Sequence, residues 1–445
     1  MNTSRFFSLA CLAVGTAATS LLTVPASAQT SVSTDPVGYT QLSCLANSDT
    51  RLSIPFTRPA EFTGLISSIT QANNTATITV ASTPGWTANQ FQYVATTQPK
   101  TYYAIVGPNN NTLAGTVSVT NNSKTVTGTG TTFTNLAKGD VINVNGYVGV
   151  VDSVASATSL TLVSNFIGAT ATGASATFNR SPKEGSYYTV TSNGTNTLTV
   201  ALNGDSLAAV ASAVGNTTVT LIPYWTLGTA FPASDAGVSY AASPNPNPRN
   251  RATQILLPDL VSSGVDLVPS TGYYNYDGKW RLAGGDPAAS YDDTIFLPTT
   301  FFLLRNTSTA TKFTPAGSVY MNRLSNPLYT QASSGQQDNA VALPRPADVT
   351  LNDLGLISSG AFQVTLNPAP RSRLDALITY DNTLPGVDKT PSASYYYYNN
   401  GWRKAGEDPN TDFGTIPISY GSGFLIRKVS TTNGTTSFWQ NTRNY

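Results

Sequence analysis

The segment 273–305 reads YYNYDGKWRLAGGDPAASYDDTIFLPTTFFLLR, and 122 positions later the chain reads YYYYNNGWRKAGEDPNTDFGTIPISYGSGFLIR. Tyr274, Tyr276, Trp280, Arg281, Asp286, Pro287 and Arg305 return as Tyr396, Tyr398, Trp402, Arg403, Asp408, Pro409 and Arg427 without a slip in spacing. A repeat of this length constrains the fold strongly, because two like sequences must bury two like faces. The repeat widens upstream. Ile54 to Pro59 parallels Val341 to Pro346, and Gly64-Leu65-Ile66-Ser67-Ser68 returns as Gly355-Leu356-Ile357-Ser358-Ser359.

These matches predict one uninterrupted unit over 317–440. They predict a second, split unit over 36–68 plus 252–312, separated by an insertion, since large insertions enter at exposed loops. The insertion alternates apolar and polar residues, as in Ala76 to Val80 and Thr197 to Val200, which is the signature of half-buried strands. We read it as a small β-domain over 69–112 plus 179–251, with a further β-module nested at 113–178. The proline-spaced run Ser243 to Arg249 reads as the linker out of it. Only Asp205 to Ala213 and Ala347 to Leu356 suggest short helices. The expected fold class is therefore all-β, with two homologous antiparallel β-sandwich-like units and a nested insertion in the first.

Composition agrees. Charged residues are only 11% of the chain, and Thr, Tyr and Val suit pleated surfaces while Gly, Asn and Pro suit turns. Residues 1–28 read as a secretory signal peptide, with Arg5, an apolar run and an Ala26-Ser27-Ala28 cleavage site. Its removal would leave equal numbers of acidic and basic residues and no integral membrane segment. A chain without net positive charge has no field for nucleic acid. Cys44 would then have no intrachain partner and reads as a small buried hydrophobe.

Two stretches carry resemblances. The opening Thr34-Asp35-Pro36-Val37-Gly38-Tyr39, with Trp402-Arg403 and Gly423 to Lys428, resembles an uncharacterised family of exported proteins from Verrucomicrobia-like bacteria. That resemblance implies export and assigns no activity. Gly115 to Gly130 and Lys138 to Ile142 resemble a small β-module of bacteriophage tail and virion-appendage proteins.

The chain has no histidine. This removes the commonest general base, the commonest zinc ligand and every histidine-dependent nucleophile. No phosphate-cradling glycine motif appears. Asp286, Asp292 and Asp293, with their counterparts Glu407, Asp408 and Asp412, leave three readings: turn caps, a calcium site or paired catalytic carboxylates. We expect Arg305 and Arg427 to pair with these loops. Tyr274 and Tyr276, and Tyr396 and Tyr398, share strand faces. They can stack on sugar rings or pack as cross-strand pairs. The sequence thus suggests a non-catalytic structural or adhesive protein of the cell surface, extracellular space or periplasm. No cofactor is required, calcium apart, and the partners would be other copies of the chain or surface glycans. The alternatives are a carbohydrate-binding protein using exposed tyrosine faces and a carboxylate-based glycan hydrolase.

Overall fold

The computed structural model describes residues 36–180, 183–212 and 214–442; the expected leader lies outside them. The fold is nearly all β, as the alternation predicts. Two five-stranded antiparallel sheets carry the repeat. The first runs Lys279–Leu282, Thr271–Tyr276, Thr253–Leu257, Phe302–Asn306, Ser48–Leu52, and the second runs Gly401–Lys404, Ala393–Tyr398, Ala376–Thr379, Gly423–Val429, Gln336–Ala342. The strand order is the same in both. Each repeated hairpin turns on two residues with positive φ, Asp277 and Gly278 in one and Asn399 and Asn400 in the other. Such two-residue turns match the twist of paired strands. They set Asn275 opposite Trp280 and Tyr397 opposite Trp402. Both tryptophans are fully buried in separate apolar cores.

The split unit resumes earlier than the sequence suggested. Trp225–Thr226 pairs with Ile295–Phe296 just as Val349–Thr350 pairs with Pro417–Ile418. Phe231 packs edge-on against Trp280 and Tyr240 packs tilted against it, and Phe362 packs tilted against Trp402. The proline-spaced run is part of this unit and not a linker. Ser243 N donates to Asn275 O and Thr365 N to Tyr397 O, each at 2.8 Å. The underlying repeat is Asn245-Pro-Asn-Pro-Arg-Asn-Arg251 against Asn367-Pro-Ala-Pro-Arg-Ser-Arg373. The second GLISS match, by contrast, is not structural. Gly64 to Ser68 lies inside the strand Phe62–Ala72, whereas Gly355 has φ 77° and ends a 3-10 turn, Leu351–Leu354. The inserted domain therefore spans 62–223, between Glu61 and Tyr224.

That insertion is a closed six-stranded barrel. Its strands run Tyr102–Thr112, Tyr187–Asn193, Thr197–Ala201, Thr75–Val80, Phe62–Ala72 and Thr217–Pro223, and the last pairs back to the first. Closure removes the exposed sheet edges. Ile78, Leu198, Val200 and Val219 fill its core. Strand Tyr102–Thr112 runs on past the barrel and pairs with Ala176–Asn179, which joins the nested module. The module has its own core around Phe133, Val126 and Leu160. The helices are minor. Ala208–Ala211 falls within one expected position, Leu351–Leu354 within the other, and Leu227–Ala230 was not anticipated.

The two repeat units meet on the sheet faces opposite their cores. Phe301, Leu303 and Ala342 form a small apolar cluster there with Leu256, Ala340 and Leu425. A Cβ on Gly423 would come within 2.3 Å of the Phe301 Cβ. Beside this cluster sit two reciprocal clasps. Arg305 donates to both oxygens of Asp49, at 2.6 and 2.7 Å, and to Asp388 in the other unit at 2.6 Å. Arg427 donates to both oxygens of Asp338, at 2.7 and 2.9 Å, and reaches across to Asp266 at 2.8 Å. The exchanged loops are completed by Asp388 N on Asp49 and Asp266 N on Asp338, each at 2.8 Å. The arginines therefore do not pair with the loops at 286–293 and 407–412, as expected from the sequence. Strand alternation aims them at the neighbouring unit, on the same face as Leu303 and Leu425. Both guanidinium groups are held above their ordinary pKa, first by hydrogen bonds to Asp49 and Asp338.

Candidate functional site

The tyrosine faces proposed from the sequence are largely closed. Tyr274 and Tyr396 are 2% and 1% exposed. Arg251 covers the first ring at 4.5 Å from its centroid, and Arg373 covers the second at 4.4 Å. These arginines belong to the Asn-Pro-x-Pro-Arg-x-Arg repeat, so each unit brings its own cover. The stacking sets cation against ring and closes the covered face to a sugar. Tyr276 and Tyr398, further along the same faces, are only half-buried.

The acidic loops are turns. Asp286 accepts Ala288 N and Asp408 accepts Asn410 N, each at 2.9 Å, as Asx turns do. Asp292 and Asp412 each accept the backbone N–H of the core tryptophan, Trp280 at 2.8 Å and Trp402 at 2.9 Å. Arg281 and Arg403 bridge the hairpin and the loop by donating to carbonyls, among them Tyr276 O and Tyr398 O. Asp293 accepts the Tyr93 hydroxyl of the barrel, and Glu407 pairs with Lys404 at 3.4 Å. Their carboxylates are thus spent on different local tasks. Among the described residues, no three of His, Cys, Asp or Glu come together in a group able to hold a metal ion. Cys44 is buried in the first core, and burial pushes its thiol up to about 11.

An opening of another kind lies elsewhere. A cavity of about 610 Å3 forms where the barrel meets both repeat units. Two other cavities measure about 80 and 10 Å3. The first falls in the size range of small-molecule sites. The barrel contributes Tyr187, Tyr188 and the turn 202–205. The first unit contributes Asp259 and Leu260, and the second contributes Tyr329, strand residues 337–341, Thr436 and Phe438. Tyr329 and Leu260 are 50% and 44% exposed, so they offer open apolar surface.

The cavity's polar groups divide into two kinds. Gln337 and Asn339 are tied to the backbone, Gln337 Oε1 accepting Gly264 N at 3.0 Å and Asn339 Oδ1 accepting Tyr329 N at 2.7 Å. They hold the wall in place. Asp205 accepts the Lys183 ammonium at 2.5 Å and the Tyr188 hydroxyl at 2.7 Å. Burial, then the Asp205 charge, raises the Tyr188 and Tyr329 phenols. Burial also raises Tyr187 to about 12. These phenols stay neutral at physiological pH and keep a donor. Asp259 accepts Val261 N and Ser262 N at 2.9 Å, and the hydrogen bonds of this turn hold its carboxyl below the usual carboxylate range. A carboxylate held ionised is a poor general acid.

No sequence motif pointed to this cavity, because its residues come from segments more than two hundred positions apart. The repeat does show why it occurs once. Asp259 and Leu260 correspond to Asp381 and Asn382, and the matching space in the other unit is filled. Asn382 exchanges hydrogen bonds with the Arg51 backbone at 3.0 and 2.9 Å, and Arg51 lies on the Tyr380 ring at 3.3 Å. Compared with protein-family models, curated proteins and solved structures, the chain matches none.

Proposed function

We propose that the chain is an exported adhesive protein without catalytic activity, whose binding element is the junction cavity, and that this cavity takes a ligand of the glycan class. The observation that carries the reading is the composition of the wall. It sets open aromatic and aliphatic surface, Tyr329 and Leu260, and the half-buried Phe438 beside hydroxyls and a carboxylate, Tyr187, Thr436 and Asp259. A sugar ring presents apolar C–H faces and a rim of hydroxyls, and such a wall complements both. The rigid framing of Gln337 and Asn339 supports the same reading, because preorganised walls lose little entropy on binding. Catalysis finds no support in the side chains of the cavity. Asp205 is committed to Lys183 and Tyr188, and Asp259 to its own turn.

A glycan array probed with the purified chain tests the proposal, with hits followed by calorimetry. We expect at least one glycan class to bind, and Tyr329→Ala and Phe438→Ala each to weaken it about tenfold. Tyr276→Ala and Tyr398→Ala should leave affinity unchanged. An array without binders, or cavity variants that bind as the parent does, would overturn the reading.

A further inference from the structure

We infer that the ligand of this cavity carries a cationic amine, so that the site selects amino sugars with free ammonium groups over N-acetylated and uronate sugars. The inference rests on the glycan reading above and adds the charge of the ligand to it.

The argument is electrostatic and geometric. Among the described residues, no Lys or Arg side chain lines the cavity. Four carboxylates stand in or beside its wall, Asp205, Asp259, Asp266 and Asp338, against two cations. Lys183 is bound to Asp205 and lies over the Phe438 ring at 4.2 Å from its centroid. Arg427 is shared between Asp338 and Asp266. Both cations are therefore already engaged, and the surplus of charge is negative. Asp259 has no ion-pair partner among the described residues. A concave wall with a surplus of one sign concentrates ions of the other. An ammonium group near the half-open Tyr329 ring would also meet the negative face of the aromatic system. A uronate would meet a surplus of like charge.

The clasp fixes this charge in position. Asp259 and Leu260 begin the loop whose far end, Gly264 to Asp266, is pinned to the second unit. Asp338 N donates to Gly264 O at 2.9 Å, Gly264 N to Gln337 Oε1 and Asp266 N to Asp338, while the Asp266 carboxylate accepts from Arg427. The Asp259 carboxylate is oriented by two backbone N–H groups of its own turn. Both of these bonds fall on one oxygen, in a turn that an asparagine would preserve, since Asn forms the same Asx turn.

Calorimetry on the full chain tests this with three soluble probes of equal length: a deacetylated glucosamine oligomer, its N-acetylated counterpart and an oligogalacturonate. We expect the deacetylated oligomer to bind about fivefold more tightly than the acetylated one, the scale of an exposed ion pair, with the uronate weakest. Asp259→Asn should narrow that margin, and raising salt from about 0.01 M to about 1 M should close it by screening. Equal or tighter binding of the acetylated oligomer, or a margin unaffected by Asp259→Asn, overturns the inference. If none of the three binds while the array shows another class, the amine assignment falls and the cavity reading stands. If the array shows nothing, the cavity reading itself falls.

Discussion

Burial and duplication combine in one experiment on the pair Lys428 and Asp375. Both side chains are buried, at 3% and 0% exposure, and the ammonium also donates to Ala361 O. The corresponding pair in the first unit is neutral. Thr253 donates to Asn306 Oδ1 at 2.7 Å, and its own oxygen accepts Ala241 N at 2.9 Å, where Asp375 accepts Gln363 N at 2.8 Å. One backbone frame therefore hosts either an ion pair or an amide–hydroxyl pair. Lys428→Asn alone strands a buried carboxylate and should cost about 3–5 kcal/mol. Adding Asp375→Thr installs the pair already used in the first unit. The double variant should return to within about 1 kcal/mol of the parent, because a buried ion pair offsets little more than its own desolvation. Urea unfolding, followed by fluorescence of the buried Trp402 and Trp439, reads the difference.

The pH dependence provides an independent check. Burial raises the Asp375 carboxyl above 3.8, against the pull of Lys428. A folded-state pKa above the unfolded one means that the native form holds the proton more tightly. Stability is then greatest at low pH and is lost as pH rises through the raised folded value. Without Lys428 the shift grows, so the deficit of the single variant should be smaller at about pH 4.5 than at about pH 7. A double variant no more stable than the single one, or a deficit that grows on acidification, would refute the reasoning.

Other perturbations follow from the same geometry. Arg427→Ala leaves Asp338 unpaired and should raise exchange of the Asp266 amide about 30- to 150-fold by hydrogen-exchange mass spectrometry, corresponding to about 2–3 kcal/mol. Asp408→Ala, at a turn the arginine never reaches, should leave that amide unchanged. Gly423→Ala drives a methyl into Phe301 and should lower the unfolding midpoint by an amount equivalent to about 1–3 kcal/mol; Phe301→Ala in the same chain should recover part of it. Cys44 should resist a neutral-pH thiol reagent in the native chain and react fully in denaturant, since burial holds the thiol at about 11.

The duplicated hairpin was legible because its constraints are local. Turn residues with positive φ, a core tryptophan and an Asx turn must all recur if the hairpin does. The first copy of the Asn-Pro-x-Pro-Arg-x-Arg repeat reads by itself as a linker, since proline spacing argues against strands and does not indicate arginines that cap tyrosines. The Gly-Leu-Ile-Ser-Ser match misplaced the boundary for the opposite reason. Five residues without a shared turn or partner can fold either as a barrel strand or as the exit of a 3-10 turn, and tertiary pairing decides. Strand alternation puts Arg305 and Arg427 on the face away from the cores, but the expected pairing with the acidic loops failed because the partner across the interface is a property of how the units dock. The cavity is further still from the sequence, because no single segment contains enough of its wall to leave a pattern.

The cavity opens beside only one of the two equivalent loops, at Asp259 and Leu260, and the other position is stopped by Arg51, Tyr380 and Asn382. A duplicated chain would ordinarily be bivalent. This one should titrate with a stoichiometry of one ligand per chain. Multivalent attachment to a surface would then have to come from the density of chains displayed, and tether length between chains would set its strength.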